Sequence, residues 1–307
     1  MTVTDEKTWP DAAQWTGKIY SDGWRPSEGG VQPVLEPATG ERLAEVGVAA
    51  PADVARAGTL AARAQRDWAE AAPQERAQVL IRTAQALRDN AGAVREWIVR
   101  ESGGVPAKGD YEIAAGLSQL AHAAGLASLP RGEILSPSAP AGTSYAWRVP
   151  LGVVGVVNPW NAPLLFAMRA LAPALVLGNA VLLKPDPHTP VSGGVVVARL
   201  FEEAGLPQGL LHVLPGGPGT GEAVVADPHV AMVVFTGSTE AGRAGGGGGG
   251  GAGGGGGAGG GGAGGGGGSG PGFGSWGVSG GCEGAFRACL TACPRLRSVA
   301  TIEGTDP

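Results

Sequence analysis

The stretch "VVGVVNPWNAPLLFAMRALAPALVLGNAVLLKPDPHTP", residues 153–190, contains the clearest pattern of secondary structure in the sequence. It begins with the short apolar run Val153–Val157, continues with an apolar segment of helical length, and reaches a second apolar run, Ala180–Lys184. Short β-branched runs on either side of a helix are typical of buried parallel strands. The stretch therefore predicts a βαβ unit.

The same alternation continues toward the C-terminus. Residues 190–206 have the pattern of a helix, 210–216 of a strand, 219–227 of a short helix and 231–237 of another strand. An α/β fold follows, with a parallel sheet covered on both faces. Because such sheets bind ligands at the carboxyl ends of their strands, three turns become candidates: "NPWNAP", "LKPDPHTP" and "FTGSTEAG".

The N-terminal part is predicted to be strands followed by helices. Residues 18–49 alternate turn signals with short β-like runs, and "PATG" (37–40) predicts a hairpin turn. Apolar residues at helical spacing predict four helices: from Pro51, from Pro73, around Val94 and Ile98, and over Tyr111–Leu126. We interpret these helices as scaffold rather than as a source of chemistry.

The C-terminal part has a different composition. Nearly half of the 57 glycines lie between Gly245 and Gly281. A glycine-rich tract of this kind cannot bury apolar side chains. We therefore expect N-terminal strands and a helical segment over 1–142, a βαβ dinucleotide-binding core over 143–244, and a disordered tail over 245–307.

Composition argues against several classes of function. The net charge is −5 and no run of Lys or Arg occurs, so neither nucleic acid nor a membrane surface is an expected partner. The N-terminus has no signal-peptide pattern, and all three cysteines follow the glycine tract, which favours a cytoplasmic protein. No metal site is predicted.

Two strand-end side chains are candidates for chemistry. Lys184 closes an apolar strand, where its ammonium calls for an anionic group unless the side chain reaches the surface. Asn161 follows the first strand between Trp160 and Pro163, and its amide can donate to a developing oxyanion. The alternative for Asn161 is a turn residue that bonds to local backbone.

Glycines mark two further candidate turns. Gly237, Ser238 and Gly242 stand where a strand ends and a helix should begin, so backbone N–H groups can meet a phosphate; an ordinary helix cap is the alternative. "GGPGTG" (216–221) does not fit the dinucleotide spacing G-x-G-x-x-G. We interpret that loop, with Gly217, as lying beside a ligand.

In this order, "VVNPWNAP", "GNAVLLKPDPHTP", "EEAGLPQGLLHVLPG" and "VVFTGSTEAGR" resemble the NAD(P)-dependent aldehyde dehydrogenase superfamily over residues 18 to 244. Within the superfamily, the segment "MRALAPALVLGNAVLLKPDPHTPVSGG" (168–194) is similar to the benzaldehyde, salicylaldehyde and vanillin dehydrogenases, which act on aromatic aldehydes. The resemblance implies an incomplete aldehyde-dehydrogenase-like fold and NAD or NADP as cofactor. It also implies a small-molecule aldehyde as substrate and homo-oligomers among complete family members.

The resemblance also implies roles for single residues. Asn161 would be the oxyanion donor, and Val157 and Trp160 would line the cofactor groove. Lys184 would bind the adenosine ribose, but the family's following glutamate is replaced by Pro187, which leaves NAD against NADP open. The G-x-x-x-x-G turn formed by Gly237, Ser238 and Gly242 would hold the pyrophosphate.

The family mechanism needs two parts that this sequence lacks. A cysteine thiolate attacks the aldehyde, hydride passes to the nicotinamide, and a glutamate activates water to release the acid. The segments "LELGG" and "GQxCxA", which carry the base and the nucleophile, do not occur, and Cys293 has none of the nucleophile's surroundings. We therefore expect no turnover from this chain. A nucleotide-binding remnant or a subunit-interaction module is the alternative function.

Two further expectations concern affinity and assembly. A run of glycine from Gly245 to Gly251 opposes a helix after Arg243 by roughly 6 kcal/mol relative to alanine, so the pyrophosphate turn should bind weakly or not at all. Thr143–Pro150 resembles the first strand of the family's oligomer ribbon, whose partner strands would be missing. An exposed, aggregation-prone edge is then expected at Tyr145 and Trp147.

Overall fold

The computed structural model describes residues 9–136, 142–237, 257–258 and 300–303. By packing, the chain divides into one unit formed by residues 1–127 and 151–258 and another formed by residues 128–150 and 259–307. The boundaries expected from the sequence, at 142 and 244, stay predictions.

The first unit begins with a short helix and two antiparallel pairs. Its elements, in chain order, are α1 (Ala12–Trp15), β1 (Lys18–Ser21), β2 (Trp24–Pro26), β3 (Val31–Leu35) and β4 (Arg42–Gly47). The predicted hairpin turn joins β3 to β4, where Gly40 has φ +74° and its N–H donates to the Glu36 carbonyl at 2.8 Å. That φ lies in the left-handed region, which explains the glycine.

Four helices follow, close to the predicted positions. They are α2 (Pro51–Glu70), α3 (Pro73–Asp89), α4 (Ala91–Ser102) and α5 (Pro106–Gly125), and a 3-10 turn covers Leu126–Ser128. The fourth begins at Pro106 rather than at Tyr111, because proline at the first helical position is compatible with a helix start. Buried Trp68 and Arg76 tie this layer to the next helix through bonds to the carbonyls of Leu175 and Val176.

The βαβ core has the predicted alternation. Its elements are β7 (Val153–Val157), α6 (Pro163–Val176), β8 (Ala180–Lys184), a π-helix (Val191–Val195) that runs into α7 (Val196–Glu203), β9 (Leu211–Val213), α8 (Pro218–Ala226) and β10 (Val230–Phe235). The sheet order is β11-β10-β7-β8-β9-β1-β2, where β11 is Gly257–Ala258. The sheet is mixed: β10, β7, β8 and β9 run parallel, whereas β1 is antiparallel to β9 and β2 to β1.

The second unit contains a three-stranded antiparallel sheet in the order β12-β6-β5, formed by β5 (Gly132–Leu135), β6 (Gly142–Trp147) and β12 (Ala300–Glu303). The prediction of a free edge at Tyr145 for lack of partner strands was wrong, because Ala300 pairs with Tyr145 and the chain's own β12 covers that edge. β-Branched residues in "ATIE" favour this strand. Trp147 lies beyond the register of β12 and is 51% exposed.

Short segments of the expected disordered tail are thus strands, namely 257–258 and 300–303. The predicted positions Ser238, Gly242 and Cys293 lie outside the described residues. In the part of the chain that the structure describes, no helix is long and apolar enough to cross a bilayer.

Candidate functional site

The carboxyl ends of β10, β7 and β8 lie side by side. Phe235 pairs with Val157, and Val157 pairs with Lys184, so these residues form one row across the three strands. Two hydrogen bonds continue the ladder past the strand ends: Thr236 N–H donates to the Val157 carbonyl at 3.1 Å, and Asn158 N–H donates to the Lys184 carbonyl at 3.1 Å. The turns that the sequence selected therefore begin at one edge of the sheet.

Lys184 is buried, with 6% of its surface exposed. Among the described residues no hydrogen bond or salt bridge to its Nζ occurs, and burial lowers the pKa of Lys184, an effect that the charge of Asp186 opposes. Desolvating an ammonium that has no close partner among the described residues is costly, and such a group suits an anionic or hydroxyl-bearing ligand.

The first strand-end turn contains Trp160 and Asn161. Both side chains are exposed, Trp160 to 54%. No side-chain hydrogen bond of Asn161 is found within the described ranges, so the alternative of a turn asparagine satisfied by local backbone finds no support there. Its amide is available to a bound molecule at this edge.

Two buried polar atoms near this edge were missed by the sequence reasoning. Asn158 Nδ2 and Thr189 Oγ1 have no hydrogen-bond partner within the described residues, and their side chains are only 4% and 1% exposed. Asn158 follows β7 and Thr189 belongs to the turn after β8. Unpaired buried polar groups cost free energy unless a ligand or water satisfies them, so they add to the polar character of the edge.

The glycine loop after β9 also reaches this region. A Cβ added to Gly216 would lie 2.1 Å from the Thr220 hydroxyl, whereas one added to Gly217 would meet no heavy atom of the described residues within 4 Å. The Thr220 hydroxyl donates to the Ala49 carbonyl at 2.8 Å and holds the loop in place. Gly216 is therefore required by packing, while Gly217 borders open space.

The structure describes the turn after β10 only as far as Gly237. Gly237 is described, and a Cβ added there would lie 2.6 Å from the Phe235 ring, so a larger residue does not fit. No cluster of three His, Cys, Asp or Glu side chains able to hold a metal occurs in the ranges that the structure describes. The residues present, a lysine at the strand end with the exposed amide of Asn161 and two unpaired buried polar atoms, fit the hydroxyls and phosphates of a dinucleotide.

Comparisons with known proteins identify the family of the chain. Residues 24–245 match the family model described as "Aldehyde dehydrogenase family". The vanillin dehydrogenase of an Amycolatopsis species is 52% identical over 77% of this chain and 48% of its own length. The benzaldehyde dehydrogenase [NAD(+)] of Pseudomonas putida is 46% identical over 75% of this chain and 47% of its own.

Solved structures show the same likeness. The crystal structure of an NAD-dependent benzaldehyde dehydrogenase from Corynebacterium glutamicum superposes with a TM-score of 0.72 and 35% identity, over 75% of this chain and 50% of that one. The chain spans about half the length of the curated relatives it matches. Both the predicted fold and the predicted resemblance are confirmed, and the chain belongs to the aldehyde dehydrogenase family.

Proposed function

We propose that this chain is the dinucleotide-binding part of an enzyme that oxidises an aromatic aldehyde to its acid with NAD or NADP. The observation that carries the proposal is the buried residue Lys184, whose ammonium has no close acceptor among the described residues and which stands at the carboxyl end of a parallel strand. The similarity to vanillin and benzaldehyde dehydrogenases supports the aromatic substrate class.

Each candidate residue has a distinct task in this proposal. Lys184 donates to the ribose hydroxyls of the adenosine, Val157 and Trp160 line the groove, and Gly217 leaves room beside it. Asn161 donates its amide N–H to the oxyanion that develops on the aldehyde oxygen. The bound dinucleotide would supply the hydride acceptor.

The pyrophosphate turn extends from Gly237 into Ser238 and Gly242. Backbone N–H groups there would face the two phosphates. The glycine run that follows disfavours the helix that should orient those groups, so we propose that dinucleotide affinity is weak. With neither the nucleophile motif nor the base motif in the sequence, we also propose that the chain alone does not turn over aldehyde.

The purified chain is titrated with NAD and with NADP, and binding is monitored by ligand-observed NMR. A separate assay measures NADH or NADPH formation with benzaldehyde. We expect weak binding that Lys184→Met reduces, and no product. Lys18→Met is the matched control, because Lys18 lies on β1 and donates to the Gln14 carbonyl at 2.9 Å. Equal binding by the two variants would refute the role of Lys184.

A non-catalytic subunit-interaction module is the second candidate. The observation that favours it is the antiparallel ribbon of β5, β6 and β12, with Ile134 76% and Trp147 51% exposed. Sedimentation of the purified chain separates the two: a stable oligomer that binds no dinucleotide would favour the module.

A further inference from the structure

Glu101 is a buried carboxylate one residue before the end of α4. Its side chain is 1% exposed and accepts hydrogen bonds from the N–H groups of Val191 at 2.7 Å and Ser192 at 2.6 Å, and from the Ser192 hydroxyl. These N–H groups belong to the first turn of the π-helix Val191–Val195 and have no partner within that turn. Glu101 thus caps a helix that lies some 90 residues further along the chain.

The capped helix begins where the Lys184 turn ends. At its start, the turn is held by the pairing of Lys184 with Val157 and by the bond from Asn158 N–H. In its middle, Gln32 Nε2 donates to the Pro187 carbonyl at 3.1 Å. The bonds to Glu101 fix its far end, so the position of the whole turn, residues 184–190, depends on this carboxylate.

Glu112 offers a comparison within the same layer of helices. Its side chain is fully buried and accepts bonds from the N–H groups of Leu164 at 3.1 Å and Leu165 at 3.4 Å, at the start of α6. Glu112 also pairs with the ammonium of Lys108. The two carboxylates therefore have the same capping role, but within the described part of the chain a cation pairs with Glu112 and none with Glu101.

No salt bridge to the Glu101 carboxylate occurs in the ranges that the structure describes. Burial raises the pKa of Glu101 to about 7, against the lowering effect of the bonds from Ser192 and Val191. Several charged groups on α4, α5 and the turn after β8 pair with other side chains: Arg100 with Glu36 and Glu41, Lys108 with Glu112, Arg95 with Asp110, and Asp186 with His188.

Protonation changes what the carboxyl group can accept. The carboxylate has two acceptor oxygens for three donors, whereas the acid form turns one oxygen into an O–H donor that faces N–H groups. The hydroxyl oxygen of the acid is a weaker acceptor than a carboxylate oxygen, so the bonds from Val191 and Ser192 weaken and the π-helix start is held less firmly.

We propose that Glu101 is a positioning residue for the dinucleotide turn 184–190: its carboxylate form holds the turn in the binding geometry, and uptake of a proton from solvent releases it. The inference rests on the proposed function for its effect on affinity. The structural part of the inference, which is that the hydrogen bonds from Val191 and Ser192 to Glu101 depend on pH, does not rest on the proposed function.

The test compares Glu101→Gln with Glu112→Gln by amide hydrogen exchange of the free chain between pH 6 and 8.5, corrected for intrinsic exchange. In the unmodified chain the protection of Val191 and Ser192 should rise with pH around 7. Glu101→Gln should lower that protection by about tenfold and remove the rise, since one bond is worth about 1.4 kcal/mol on this scale. Glu112→Gln should instead expose Leu164 and Leu165 and keep the rise.

Dinucleotide affinity is measured over the same pH range in a His188→Asn background, which removes the exposed imidazole of the turn. We expect the affinity to rise severalfold from pH 6 to 8, and the rise to disappear with Glu101→Gln. Ser192→Ala, which removes one bond and keeps the charge, should move the midpoint to higher pH. This milder variant keeps the proposal testable if Glu101→Gln does not fold.

The outcomes separate the two claims. If no dinucleotide binds at any pH, the proposed function fails, and the exchange data alone decide the role of Glu101. Protection of Val191 and Ser192 that is independent of pH, or unchanged in Glu101→Gln, would overturn the inference even when binding is observed.

Discussion

Replacement of Lys184 by methionine should increase stability while weakening dinucleotide binding. The Lys184 residue is 6% exposed and its ammonium has no hydrogen bond or salt bridge among the described residues, so the folded state bears the cost of desolvating the charge. Methionine has a similar length and no charge. Replacing buried ions by apolar residues of similar volume is neutral or stabilising by about 1–4 kcal/mol, and we expect about 1 kcal/mol here because Asp186 partly compensates the charge.

The effect on binding should have the opposite sign. A hydrogen bond from a charged donor contributes about 1.5–3 kcal/mol, which corresponds to a loss of affinity of roughly 10- to 150-fold for Lys184→Met. Stability is measured by urea unfolding at pH 7, and binding by NMR titration with NAD and NADP. A variant that is less stable than the parent, or that binds equally well, would show that Lys184 is held by the protein rather than reserved for a ligand.

The pH dependence gives an independent check of the same residue. The pKa of Lys184 is lowered in the folded state, so above that pKa the unfolded chain binds more protons than the folded one. Stability should then increase as the pH rises toward 10.5. Lys184→Met should lack this increase, and its presence in the variant would assign the effect to another group.

Three further predictions concern other parts of the first unit. In Gly58→Ala the new Cβ would lie 2.5 Å from Asp227 Oδ1, so urea unfolding should show a loss of about 1–3 kcal/mol, and an unchanged midpoint would contradict the packing. Burial lowers the pKa of His212 to about 4, so stability should fall by about 3 kcal/mol as the pH drops from about 6.5 to 4; His212→Gln should flatten that slope, and a slope that persists would point elsewhere. Alanine in place of Gly245–Gly251 should tighten dinucleotide binding in the same titration, because each replacement favours a helix by about 0.8–1.0 kcal/mol; no gain would mean that the turn does not depend on a following helix.

The sequence predicted the elements of the sheet well because their signals are local. The apolar runs Val153–Val157 and Ala180–Lys184 are strands with the predicted bounds, and proline marks the start of α2 and α3 as expected. The place of the antiparallel strand β1 in this sheet was harder to predict from the sequence. β1 lies antiparallel beside β9, and this pairing joins segments that are far apart in the chain.

Part of the candidate site could not be predicted from the sequence either, because it depends on contacts between segments that are far apart in the chain. Asn161 and Lys184 could be found because each directly follows an apolar run. Glu101 and Glu112 could not, since their partners lie 90 and 52 residues away and their helices have an ordinary amphipathic pattern. Asn158 was overlooked because its unpaired Nδ2 is a property of its surroundings. The strand 300–303 was missed since a glycine-rich tract separates it from the fold.

The most direct test of the account is to map the dinucleotide site by NMR. Backbone amide shifts of the isotope-labelled chain are followed during titration with NAD and then NADP. The account predicts shifts at Asn158, Lys184, Gly217 and Thr236, which lie at one edge of the sheet or border it, with little change on the ribbon of β5, β6 and β12. Shifts confined to that ribbon, or no shifts at millimolar dinucleotide, would contradict a dinucleotide site at the carboxyl ends of these strands.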